Sequence, residues 1–179
     1  MFEQFVNAHL ELLDDLTMQY RNYWARLVEG YWEELCDMAG REKREGFTPK
    51  ISREIRCGKD TWCGWARDID GTEVSATIVV GRSVRAFSKE VQWHAFANSW
   101  IGIVVNSGRT SGLWRRARDG ASGVFPSAEE DADSPAWQRL QFSRLNIREF
   151  HSEITERRFE SQKAIIAELK SWAGIVQSL

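Results

Sequence analysis

The chain has 179 residues, a formal charge of −2, 42% hydrophobic and 28% charged residues, a size and polarity that fit one soluble domain, 1–179. Nine Trp and nine Phe against three Pro supply enough bulky apolar surface for a core and exclude a disordered chain. No apolar run has membrane length, and acids stand where a signal peptide would carry bases, so a cytoplasmic protein away from membranes is expected.

Residues 1–44 read as one long N-terminal helix. Val6, His9, Leu13, Leu16, Tyr20, Tyr23, Leu27, Tyr31, Leu35 and Met38 recur at steps of three and four, one seam along a helix, with His9 expected inside the core. Leu12, Trp24, Val28 and Trp32 widen it on one flank, and Gly40 is a plausible terminator. At 1.5 Å per residue the helix spans roughly 55 Å, so it must project or pair with an equally long element.

Residues 48–120 change to a period of two. Ile51, Ile55 and Cys57 alternate with polar neighbours, and runs 61–69 and 72–80 flank Asp70-Gly71, a two-residue hairpin signal. Further strands are expected at Ser83–Ser88, Val91–Ala97 and Trp100–Asn106. Trp62, Trp65, Trp93 and Trp100 fit a sheet core.

Residues 134–178 read as a second helical section, with Ser134-Pro135 as cap and first turn and the acids Glu129, Glu130, Asp131 and Asp133 just ahead of it, facing the positive end of the dipole. Ile147, Phe150, Ile154, Ser161, Ile165, Leu169, Trp172 and Val176 carry its seam, which Arg157, Arg158 and Ser161 interrupt. The expected fold class is α+β: two long terminal helices, antiparallel to each other, packed on a curved antiparallel sheet of four to six strands.

Little in the chain points to catalysis. His9, His94 and His151 lack the spacing that puts two imidazoles on one metal, and Cys36, Cys57 and Cys63 lack CxxC spacing, so no cofactor or metal is expected and the thiols read as buried and reduced. Asp68, Asp70 and Glu73 straddle the hairpin as metal-dependent nuclease acids do, but Ser75 stands where a basic residue would complete that set. Solvated acids beside a turn explain these letters more simply.

Charge is the stronger signal. Residues 1–40 hold two basic and eight acidic residues, net −6, while residues 41–120 hold fifteen and nine, net +6. Arg82, Arg85 and Lys89 form one basic stretch; Arg109, Arg115, Arg116 and Arg118 form another around Trp114, read as a flexible cationic loop whose indole stacks on a base. Arg41, Lys43, Arg44, Lys50, Arg53, Arg56 and Lys59 add charge at the first junction. These residues predict binding to DNA through the phosphates. The competing reading is an internal match between the basic middle and the acidic first helix.

Tyr23-Trp24 and Tyr31-Trp32 in the first helix, Pro49-Lys50-Ile51 leading to Trp62 and Trp65, and Glu156-Arg157-Arg158 in the last helix together resemble the layout of MobI-like auxiliary mobilisation proteins of integrative and conjugative elements. The resemblance implies a non-catalytic accessory protein acting on DNA at a transfer origin, with a relaxase as protein partner and no catalytic residues to carry over. The alternative is a protein-binding inhibitor of a host defence complex, of phage or mobile-element origin. The seam of the first helix also admits a homodimer.

Overall fold

The computed structural model describes residues 9–53, 61–80, 99–107, 111–131 and 134–179. Expectations for Ile55, Arg56, Cys57, Lys59, Ser83–Ser88, Val91–Ala97, Trp93, His94 and Asp133, and for the site residues Arg82, Arg85, Lys89 and Arg109, lie outside them. The fold is α+β, with four α-helices among the described residues and a five-stranded antiparallel sheet.

Helix α1, Leu10–Arg41, is 32 residues long and ends with the Glu42 N–H on Ala39 O. Strands β1 (Thr48–Ile51), β2 (Thr61–Ile69), β3 (Thr72–Val80), β4 (Trp100–Val105) and β5 (Ala136–Arg139) pair in chain order as a meander. Helix α2, Gly112–Val124, lies between β4 and β5; a 3-10 turn at Gln141–Arg144, then α3 (Ile147–Thr155) and α4 (Arg158–Ser178), complete the chain. No helix among the described residues is long and apolar enough to cross a membrane.

The Asp70-Gly71 hairpin forms as its residues require. Both carry positive φ, 53° and 77°, which matches the twist of two paired strands, and Asp68 Oδ1 accepts the Gly71 N–H at 2.9 Å. Alternation along the strands then sorts the side chains. Cys63, Trp65, Val74, Ala76, Ile78, Ile101, Ile103 and Ala136 share one face and join Val28, Trp32 and Leu35 of α1 and Leu169, Trp172 and Val176 of α4 in the core. Trp62 falls on the other face, 38% exposed, which corrects its assignment to the core; Trp65 and Trp100 are buried as expected.

That other face mixes the tryptophans Trp62, Trp100 and Trp137 with a row of small residues where strands approach closely. Gly64 and Gly102 sit on either side of Thr77 in one cross-strand row. A Cβ on Gly64 would lie 2.1 Å from Ala76 O, and one on Gly102 2.4 Å from Ala136 O.

Three expectations are corrected. The terminal helices are parallel rather than antiparallel: Tyr23 meets His151, Tyr31 meets Ser161 and Glu42 meets Lys170, so numbers rise together along α1 and α3–α4. An odd number of antiparallel strands separates them, which returns the chain to its starting direction. The last helical section does not start at Pro135. Ser134 Oγ donates to Ile103 O and Ala136 O, tying this segment to β4 as the edge strand β5, and the helix is delayed to the Asn146 capping box, whose partner is Glu149. The stretch around Trp114 is a helix, not a loop. Ser111 caps it by accepting the Trp114 N–H, and Trp114, Ala117 and Ala121 form its buried stripe. Gly120, whose Cβ would lie 3.2 Å from Ile175 Cγ2, lets α2 come close to α4.

Glycine substitutions separate these roles. Gly64→Ala should cost about 2 kcal/mol in urea unfolding because backbone must move. Gly174→Ala, in the interior of α4 with open space around the new methyl, should gain about 0.5–1 kcal/mol from helix propensity.

Candidate interaction surface

Three regions were candidates on sequence grounds, and the structure treats them differently. At the hairpin, Glu73 Oε1 accepts from Lys50 Nζ at 2.5 Å and from Asn106 Nδ2 at 3.0 Å, while Asp68 is turned onto the hairpin backbone. Thr48, Lys50, Arg67, Asp68 and Glu73 border an open recess of about 290 Å³ in which both signs of charge are matched. Among the described residues no group of three His, Cys, Asp or Glu side chains is placed to hold a metal ion.

In the second basic stretch, Trp114 is 2% exposed and its indole N–H reaches Glu130 Oε1 at 3.4 Å, so the ring packs in the core and offers no face to a base. The helical period that was read as a loop is the reason. Arg116 Nη1 donates to Leu179 O at 3.1 Å and Arg67 Nη1 to Gln177 O at 3.0 Å; the two close the C-terminal end of α4, where carbonyls lack helical partners and the dipole is negative. Arg118 lies between Asp119 and Glu130. Arg115 is exposed and, unlike Arg116 and Arg118, has neither a hydrogen bond nor an ion pair from its side chain among the described residues.

Asp37 is matched by the basic middle section, as the internal-match reading expects, whereas Glu34, and Glu42 just after α1, are matched by the last helix. Asp37 holds Arg41 and Arg53, Glu34 holds Arg158, and Glu42 holds Lys170. Arg44 lies over the Phe47 and Trp65 rings at 5.6 and 5.4 Å. A different basic run is left open: Arg139, Arg144 and Arg148 are exposed and have no side-chain partner among the described residues, within a window, residues 136–148, that contains no acid. Spread through a helical seam in the sequence, these arginines carry no local signal that sets them apart.

The polar residues that break the C-terminal seam form a lock between α1 and α4. Tyr31 and Ser161 hydroxyls bond at 2.8 Å, Gln162 Nε2 donates to Tyr31 O and Glu34 Oε2, and Arg158 Nε donates to Glu34 Oε2 at 2.6 Å. Burial pushes the Tyr31 phenol well above its ordinary range. Cys36 and Cys63 are buried free thiols, as expected; a hydrogen bond that the protonated Cys63 thiol makes to Cys36, then burial, holds it well above its usual range.

The first half of α1 is the least ordinary surface. Core burial begins at Trp24, and the described side chains before it are all exposed, His9 included, which removes it from the core. Leu12, Leu16, Tyr20 and Tyr23 are 44–55% exposed. At 100° per residue they form one stripe in line with Leu27, Tyr31 and Met38, the side of α1 that meets α3 and α4, and about 120° around the helix from Val28 and Leu35, so the stripe extends the helix-facing side beyond the point where its partner helices end. Tyr23 fixes the base of the stripe: its hydroxyl bonds His151 Nε2 at 2.7 Å and its ring stacks on that imidazole. Trp24 stacks beside it on Phe150.

No family model matches the chain, and neither a curated protein nor a solved structure matches it. The MobI-like resemblance therefore rests on layout alone.

The buried phenol gives a pH dependence. The unfolded chain loses this proton near pH 10 and the folded chain only higher, so the stabilisation is complete below about pH 10 and declines as pH rises past it. Between about pH 10 and 11 the urea midpoint of the wild type should fall more steeply than that of Tyr31→Phe, by up to about 1.4 kcal/mol per pH unit; identical slopes would remove Tyr31 as the cause.

Proposed function

We propose that the protein is a non-catalytic binding protein that engages a protein partner through the first half of α1. The supporting observation is the stripe of Leu12, Leu16, Tyr20 and Tyr23, half exposed on a helix that continues past the core. Single exposed apolar residues are ordinary on soluble proteins; a contiguous row at helical spacing is what a partner helix or groove covers. Aromatic and leucine anchors of this kind each gain about 1.5–3 kcal/mol on full burial. Occupation of a host defence complex is the form this reading takes for an inhibitor; a relaxase is the corresponding partner of a mobilisation factor.

A second reading, DNA binding by an accessory factor acting at a transfer origin, is favoured by Arg139, Arg144, Arg148 and Arg115, which are free to meet phosphates. Arg82, Arg85, Lys89 and Arg109 belong to this reading on sequence grounds.

The two are separable. Crosslinked complexes recovered with the wild-type chain should vanish with Leu16→Glu/Tyr20→Glu, which leaves the core untouched; unchanged recovery would sink the α1 reading. Under the second, Arg139→Ala/Arg144→Ala/Arg148→Ala should abolish a low-salt gel shift, and the absence of any shift with the wild type removes it. Arg116→Ala is a poor probe of DNA contact, since it also opens the end of α4.

A further inference from the structure

We propose that the occupant of the α1 stripe is a second copy of the chain, with the two α1 helices antiparallel across a two-fold axis near residue 18. This rests on the reading of the stripe as a docking surface and names its partner. Three features of residues 10–27 select this occupant and this direction.

The first is shape. Steps of three and four from Leu12 to Leu27 are the spacing of knobs-into-holes packing, so the stripe is complementary to a copy of itself. Leucines occupy its first half and tyrosines its second. Antiparallel pairing puts Leu16 of one copy opposite Tyr20 of the other, and Leu12 beside Tyr23; parallel pairing would set tyrosine against tyrosine.

The second is charge. Asp14 and Asp15 precede the midpoint and Arg26 follows it; all are exposed and outside every ion pair among the described residues. Reversal brings the acidic half of each helix to the level of the basic half of the other, twice by symmetry. In the parallel arrangement the aspartates would face their own copies.

The third is space. A recess of about 350 Å³ lies at the base of the stripe, lined by Gln19, Asn22, Tyr23, Arg26 and Leu27. In the antiparallel register these positions lie level with residues 9–17 of the other copy, so the recess is where Leu12 and Leu16 arrive. Tyr23, held by His151, presents a preformed wall to them. A helix of this length is marginal alone, but here the domain already supports its second half.

Sedimentation equilibrium of the full chain from about 1 to 100 µM tests the proposal. The expected result is a dimer of twice 20.7 kDa. Leu16→Glu/Tyr20→Glu, and the milder Leu16→Ser/Tyr20→Ser, should raise the dimer Kd at least a hundredfold and remove the concentration dependence of the unfolding midpoint, with the midpoint at concentrations below the wild-type Kd unchanged. An equimolar mixture of Leu16→Cys and Tyr20→Cys chains should form the mixed disulfide dimer in preference to either homodimer, which parallel helices would not do. A wild-type chain monomeric throughout, or a dimer indifferent to the stripe variants, overturns the proposal. A monomer that still captures a different protein through Leu16 and Tyr20 overturns the second copy while leaving the α1 reading in place. A mixture that forms only the two homodimers rejects the antiparallel geometry.

Discussion

Everything in this fold depends on the apolar face of one meander being roofed by two helices that must also hold each other. Trp32 and Leu35 of α1 and Leu169 and Trp172 of α4 bury against the same strands, and dispersion and area burial there dominate the stability. Such contacts are non-directional, so they do not set how far one helix slides along the other. The Tyr31–Ser161 and Glu34–Gln162–Arg158 bonds supply that register. Polar groups at the middle of an apolar seam are costly unless all are partnered, and here they are partnered across the helix pair.

The same constraint divides α1. Its second half is committed to sheet and helix, and the stack of Trp24 on Phe150, with Tyr23 on His151, ends that commitment. Beyond this point no described strand lies under the helix, and its surface divides into charged residues such as Asp14 and Asp15 and one row of exposed leucines and tyrosines. The contrast between a helix that has finished its structural task and an apolar row that stays uncovered underlies both the proposed function and the proposed dimer.

What the sequence made legible follows the strength of local signals. The α1 seam, the period-two runs and the Asp70-Gly71 turn each have one physical solution and were readable. The direction of the C-terminal helices was not, because it depends on the parity of the strand count, which no local pattern encodes. Ser134-Pro135 misled because a serine before proline suits a helix start, whereas here its hydroxyl serves the neighbouring strand. Glycines and arginines around Trp114 outweighed a short Trp-Ala-Ala stripe that only α4 makes worth burying. The functional residues suffered in the same way: Arg116 and Arg118 looked available in the sequence because their acceptors, a helix terminus and Glu130, lie far along the chain or across a turn.

Parallel alignment of α1, α3 and α4 has an electrical consequence. In antiparallel helices the peptide dipoles cancel; here they add, so a molecule of formal charge −2 is polarised along its helix axes. The negative poles of α1 and α4 gather at one end, where Arg44, Arg67 and Arg116 neutralise them from within. The positive poles of α3 and α4 point the other way, toward the end from which α1 extends, and Arg148 stands in the first turn of α3. The exposed Asp14 and Asp15 of the projecting helix stand toward that same end, so side-chain charge there opposes the helix poles and limits the polarisation they would otherwise give the molecule.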